Sequence, residues 1–203
     1  MLAVLAVLAA CDRSRSASSE RERGASADHA ASGSASAAST TGAEAFAPMR
    51  VGDVAPPMTV AALVGAPIRL GGAGPVTVLN LWATWCTSCR EEMADLNAMH
   101  AEFAPLGARV VGVSIDAGDP SLVARFAKSA KLAFTVALDP TQDVKQQYQI
   151  VGVPETLVIA ADGRIAWRHV GNIHTVTDSL RGSIRAALAS ASAVTRGTPS
   201  MTP

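Results

Sequence analysis

Cys86-Thr87-Ser88-Cys89 sets two thiols three positions apart, a spacing that serves either a disulfide or half of a metal site. A structural zinc site takes four ligands, usually from two such pairs or from one pair and two closely spaced histidines. Here the pair stands alone, and His29, His100, His169 and His174 have no paired spacing, so no metal is expected. Two inert core thiols remain an ordinary alternative. The flanking sequence argues against it. Val76-Thr77-Val78-Leu79-Asn80-Leu81 reads as a buried strand that ends just before the pair. Behind the pair, Met93, Leu96, Met99 and Phe103 recur at three and four residues, with Glu91, Glu92 and Asp95 in the early turns. That pattern predicts an amphipathic helix with acids near its positive end. A thiol at a strand-to-helix junction meets N–H groups that favour its thiolate. Cys86 is therefore expected to be the nucleophile, and Cys89, one turn inward, the residue that closes the disulfide. The chemistry this predicts is thiol–disulfide exchange, with the pair itself as the redox group and no cofactor.

The rest of the chain supplies the elements that must hold this pair. Strands are expected at 109–115 and 134–138, the latter ended by Asp139-Pro140, with a helix at 120–131 between them. A short helix is expected around 144–148. The run "ETLVIAADGRIAWRHVG" reads as two strands joined at Asp162-Gly163, and Val176, Leu180, Ile184 and Leu188 predict a closing helix over 176–189. The succession predicts an α/β fold: a mixed central sheet flanked by helices, within a domain over 48–190.

Outside that domain the sequence changes character. The chain has 203 residues, 49% of them apolar, and 17 basic residues balance 17 acidic ones. That balance gives no global field toward nucleic acid, and nucleic-acid binding is not expected. The opening "MLAVLAVLAA" is too short for a membrane-spanning helix, which takes about 20 residues, but suits a secretory apolar segment. No Lys or Arg precedes it. Residues 12–47 are rich in Ser, Ala and Gly without apolar periodicity and are expected to be a disordered tether, with a root-mean-square span of about 30–35 Å. Residues 191–203 are expected to be a flexible tail.

Three resemblances sharpen this reading. Leu8-Ala9-Ala10-Cys11 resembles the lipobox of bacterial lipoproteins, which implies that residues 1–11 are a signal peptide and that Cys11 carries a lipid anchor. Asp12 resembles a retention signal that favours the inner membrane over the outer. "LNLWATWCTSCREEMADL", with "VGDVAPP" before it and "YQIVGVPETLVIAADGRI" after it, is similar to the membrane-tethered thioredoxin-like proteins of the TlpA and ResA type. That resemblance implies a thioredoxin-like fold with an N-terminal β extension, on the periplasmic side of a bacterial membrane. Pro154 matches the family's cis-proline, and Val153 is then expected to pair with the partner chain. Asn80 stands where thioredoxins carry a buried Asp, and Glu92 matches a glutamate that moves protons in ResA-like members. The plain alternative is that Glu91 and Glu92 only complement the helix and face water.

Thr87-Ser88 departs from the family's proline-containing pair, so Ser88 is free to donate to the Cys86 sulfur, and both residues are expected to tune the redox poise. Trp85, beside Cys86, is expected to shape the partner surface, while Trp82 and Trp167 pack and His169 and His174 lie at the surface. The resemblance implies disulfide-containing periplasmic partners, for example in cytochrome c maturation or copper-site assembly, and a membrane thiol donor as electron source. Two rivals remain at this point: a peroxiredoxin-like peroxidase, whose P-x-x-x-T-x-x-C context is missing, and a Sco-like copper chaperone, which separates its cysteines by three residues.

Overall fold

The computed structural model describes residues 47–196. The expected signal peptide, Cys11, most of the tether and the end of the tail lie outside the described residues. Among the described residues seven strands form one sheet: β1 (Met58–Ala62), β2 (Ile68–Leu70), β3 (Thr77–Trp82), β4 (Arg109–Ser114), β5 (Thr135–Leu138), β6 (Glu155–Ile159) and β7 (Ile165–Val170), in the order β2-β1-β5-β4-β3-β6-β7. β3, β4 and β5 run parallel, while β6, β7, β1 and β2 add antiparallel pairings. The mixed sheet, and the β1–β2 hairpin as its N-terminal extension, are as expected.

β3 is buried at every residue, as a strand paired on both edges and covered on both faces must be. Its neighbour β4 carries Gly112 where a Cβ would lie 2.7 Å from the Phe134 ring and 3.0 Å from Trp82. Only hydrogen fits there. At the β6–β7 turn, Gly163 takes φ +85° and would strike the Gly72 backbone with any side chain.

The helices are α1 (Thr87–Glu91), α2 (Met93–Phe103), α3 (Pro120–Ser129), α4 (Asp143–Gln147) and α5 (Thr177–Arg196). α3 starts as its sequence dictates: the Asp119 side chain accepts from Ser121 N–H at 2.8 Å, and Pro120 occupies the first turn. α2 and α5 lie together, joined by Arg181 and Arg185 on Glu102 and by Arg185 over the Phe103 ring.

Two expectations are corrected. The single helix predicted after Cys89 is two helices that meet at Glu92, whose backbone has φ −83° and ψ −4° and whose carboxyl is held from other elements by Asn80 and Ile173 N–H. The closing helix runs on to Arg196, so the tail does not begin at 191. Ala and Ser at 189–193 continue a helix readily, and the first breaker in the sequence is Gly197.

Candidate functional site

Cys86 caps the N-terminus of α1. Its backbone is extended, and its sulfur accepts from Cys89 N–H at 3.2 Å. The two sulfurs form a disulfide. α1 has only five residues, so the local N–H groups, rather than a long helix dipole, face the sulfur. Cys86 retains 7% exposure and Cys89 none, so an incoming molecule reaches Cys86 first. The Ser88 hydroxyl lies 3.5 Å from the Cys86 sulfur, and since a disulfide sulfur carries no proton, the hydroxyl is the donor. For the same reason, the 3.8 Å approach of that sulfur to Val153 C=O is a contact rather than a hydrogen bond. Thr87 opens α1 with an exposed side chain.

The peptide bond between Val153 and Pro154 is cis. Pro154 is buried, and its C=O accepts from Gly171 N–H at 2.8 Å. Val153 N–H enters no hydrogen bond among the described residues. The structure thus brings Cys86, Cys89, Ser88 and Val153-Pro154 to one place. Trp85 is 67% exposed beside Cys86; Trp82 is buried, and Trp167 is half-buried with its indole N–H on Ser179. His174 lies at the surface on Asp95, whereas His169 is half-buried, stacked on Trp167. Among the described residues no three of His, Cys, Asp or Glu gather as metal ligands.

Of the two glutamates after Cys89, Glu91 is exposed and Glu92 is fully buried. Glu92 accepts from Asn80 Nδ2 at 2.7 Å and from Ile173 N–H at 3.0 Å. Burial pushes its carboxyl up to about 7, against the two hydrogen bonds that favour the anion, with Asp95 adding a smaller upward push. A carboxyl poised there exchanges protons readily at neutral pH. Asn80 also donates to Thr156 Oγ1 at 3.0 Å, and its own carbonyl oxygen has no partner.

Several residues at the site carried no signal that single-sequence reading could use. Asp116, after β4, accepts from Thr84 N–H at 2.9 Å and Thr84 Oγ1 at 2.6 Å, which fixes the turn that presents Trp85 and Cys86. Glu155 pairs with Arg168 at 2.6 Å and accepts from Val151 N–H at 2.9 Å, bracing the loop around Pro154. Asn172 donates to Ser88 C=O at 2.9 Å. Only Glu155, a charge at the head of a strand that continues into Leu157-Val158-Ile159, offered a hint.

The profile of the AhpC/TSA family matches residues 51–168, more than half of the chain. The chain belongs to the AhpC/TSA family. Thiol-disulfide oxidoreductase ResA of Bacillus thuringiensis subsp. konkukian is 30% identical over 118 residues, covering 58% of this chain and 68% of that one. ResA of Oceanobacillus iheyensis is 37% identical over 92 residues, covering 45% and 47%. Among solved structures, a Chlorobium tepidum protein provisionally assigned as thiol:disulfide interchange protein DsbE is 30% identical with TM-score 0.62, over 69% of this chain and 99% of that one. A secreted Mycobacterium tuberculosis disulfide oxidoreductase is 26% identical with TM-score 0.54, over 64% and 95%. Within the AhpC/TSA family this is a TlpA/ResA-like thiol-disulfide oxidoreductase with a thioredoxin-like fold.

Proposed function

We propose that this oxidoreductase works as a reductant of partner disulfides on the periplasmic side of a bacterial membrane, tethered through a lipid on Cys11. The observation that carries the redox roles is the unequal exposure of the two sulfurs beside the cis Val153–Pro154 peptide. Cys86, as thiolate, attacks a partner disulfide; a mixed disulfide forms, and the departing partner sulfur takes a proton. Glu92 then accepts the Cys89 proton, and the Cys89 thiolate attacks the Cys86 sulfur. The Cys86–Cys89 disulfide closes and the second partner thiolate leaves, so two electrons pass to the partner. A membrane thiol donor of the same two-electron class restores the dithiol.

Pro154 and Val153 hold the partner strand, Trp85 covers it, and Thr87 and Ser88 set the potential. Among the described residues no helix is long and apolar enough to cross a membrane, so anchoring in this reading rests on Cys11. The partners are proteins whose cysteines must stay reduced before receiving haem or copper.

Insulin reduction and a glutathione redox titration test the chemistry, with peroxide consumption as the competing readout. Cys86→Ser abolishes disulfide reduction. Cys89→Ser accumulates a mixed disulfide through Cys86, from which mass spectrometry identifies the partner. Activity that survives Cys86→Ser, or turnover of peroxide in place of disulfides, would refute the reading. Metabolic labelling with a palmitate analogue, lost in Cys11→Ser, tests the anchor.

A further inference from the structure

Asn172 follows β7 and reaches back to the cysteine helix. Its orientation is unambiguous, because Nδ2 donates to Ser88 C=O at 2.9 Å while Oδ1 accepts from His174 N–H at 2.8 Å. Ser88 C=O and Cys89 N–H belong to one peptide group, and that N–H donates to the Cys86 sulfur at 3.2 Å. Asn172, the Ser88–Cys89 peptide and Cys86 thus form a head-to-tail chain of two hydrogen bonds joined through a conjugated amide. A donor on the carbonyl oxygen polarises the amide and strengthens donation from its N–H. We infer that Asn172 is a positioning residue that strengthens the Cys89 N–H bond to Cys86 and so favours its thiolate. This rests on Cys86 being the nucleophile.

Charged groups on the surrounding elements have their own partners. Glu92 is held by Asn80 and Ile173, Asp116 by Thr84 and Ser114, Glu155 by Arg168, and Asp95 by His174. Arg90 lies over the Phe126 ring, and Glu91 is exposed. None of these hydrogen-bonds to the Cys86 sulfur. Removing the neutral Asn172 amide therefore alters the thiolate without changing any charge.

The test is residue-resolved. Cys86 and Cys89 are titrated in the reduced, folded protein by Cβ carbon shifts, and the Cys89 amide resonance is followed. In Asn172→Ala the Cys86 pKa is expected to rise by about half a unit, roughly a threefold smaller thiolate population below its pKa. The Cys89 amide proton moves upfield and the reduction potential becomes more negative. Asn172→Asp keeps an acceptor for His174 N–H but donates nothing to Ser88, and serves if the alanine variant does not fold. Because its new charge also raises the Cys86 pKa, its deciding readout is the upfield move of the Cys89 amide proton, and an amide proton that stays in place overturns the inference. Because Ile173 N–H bonds to Glu92, the series is repeated with Glu92→Gln. A shift that persists there supports the peptide route; one that vanishes overturns it. An unchanged Cys86 pKa in either Asn172 variant also overturns it, while leaving the nucleophile assignment intact. If the parent protein has its lower pKa at Cys89, both the assignment and the inference fall.

Discussion

Glu92 and Glu155 are both excluded from solvent, one three residues after Cys89 and the other directly after Pro154, yet their partners differ in kind. Glu155 meets a guanidinium, Arg168, at 2.6 Å. Glu92 meets only neutral donors, Asn80 and Ile173 N–H. A buried carboxylate beside a cation is a fixed element: the charge is matched, and removing either partner strands the other. A buried carboxyl without a cation bears the full desolvation cost when ionised, so it binds a proton near neutrality. The same side chain therefore braces the Pro154 loop at one position and is suited to carry a proton at the other.

The largest test of this contrast is Glu155→Ala. It leaves Arg168 nearly buried without its counter-charge and frees Val151 N–H, and is expected to cost about 3–5 kcal/mol in denaturant unfolding. A loss below about 1 kcal/mol would mean that the pair does not brace the loop. Glu92 should behave oppositely. Its folded carboxyl titrates at about 7 against 4.5 when unfolded, so between these values the folded state holds more protons. Stability then falls as pH rises through that window, by about 3 kcal/mol in total. In Glu92→Gln that slope disappears, the protein gains stability above pH 7, and closure of the Cys86–Cys89 disulfide slows by about 10²-fold or more. Urea midpoints and single-turnover kinetics across pH 4 to 8 check both; an unchanged slope would remove Glu92 from the proton path.

Replacing both partners of the ion pair sharpens the comparison. Glu155→Met with Arg168→Leu is expected to lie within about 1–2 kcal/mol of the parent, because neither charge is left uncompensated, and a double-mutant cycle isolates the coupling. The smallest effect belongs to the cysteine helix itself. Ser88→Ala removes the hydroxyl donor 3.5 Å from the Cys86 sulfur and should shift the reduction potential by about 10–20 mV to more negative values. A glutathione titration resolves a shift of that size.

Much of this site was visible in the residue order. The apolar run of β3, the change of period after Cys89 and the Asp162-Gly163 turn each rest on local pattern, and the structure has an element at each place. The break at Glu92 was not visible, because nothing in Arg90-Glu91-Glu92-Met93 disfavours one continuous helix. The residue there is held from other elements: the carboxyl is taken up by Asn80 from β3 and Ile173 from beyond β7. Asp116 and Asn172 were silent for the same reason. A polar residue in a loop reads as solvated until its partner, far along the chain, is known.

The residue order was enough to predict a redox pair at a strand-to-helix junction and a mixed α/β sheet, since these follow from spacing and periodicity along a few residues; that Pro154 faces the pair was implied only by the family resemblance. Tertiary structure decided which glutamate is buried, which of the two buried carboxyls meets a cation and which backbone amide is reinforced at the Cys86 sulfur. Those outcomes depend on desolvation and on hydrogen bonds between different elements, from Glu155 and Arg168, 13 residues apart on neighbouring strands, to Ser88 and Asn172 or Glu92 and Ile173, more than 80 apart, and no pattern within one element encodes them.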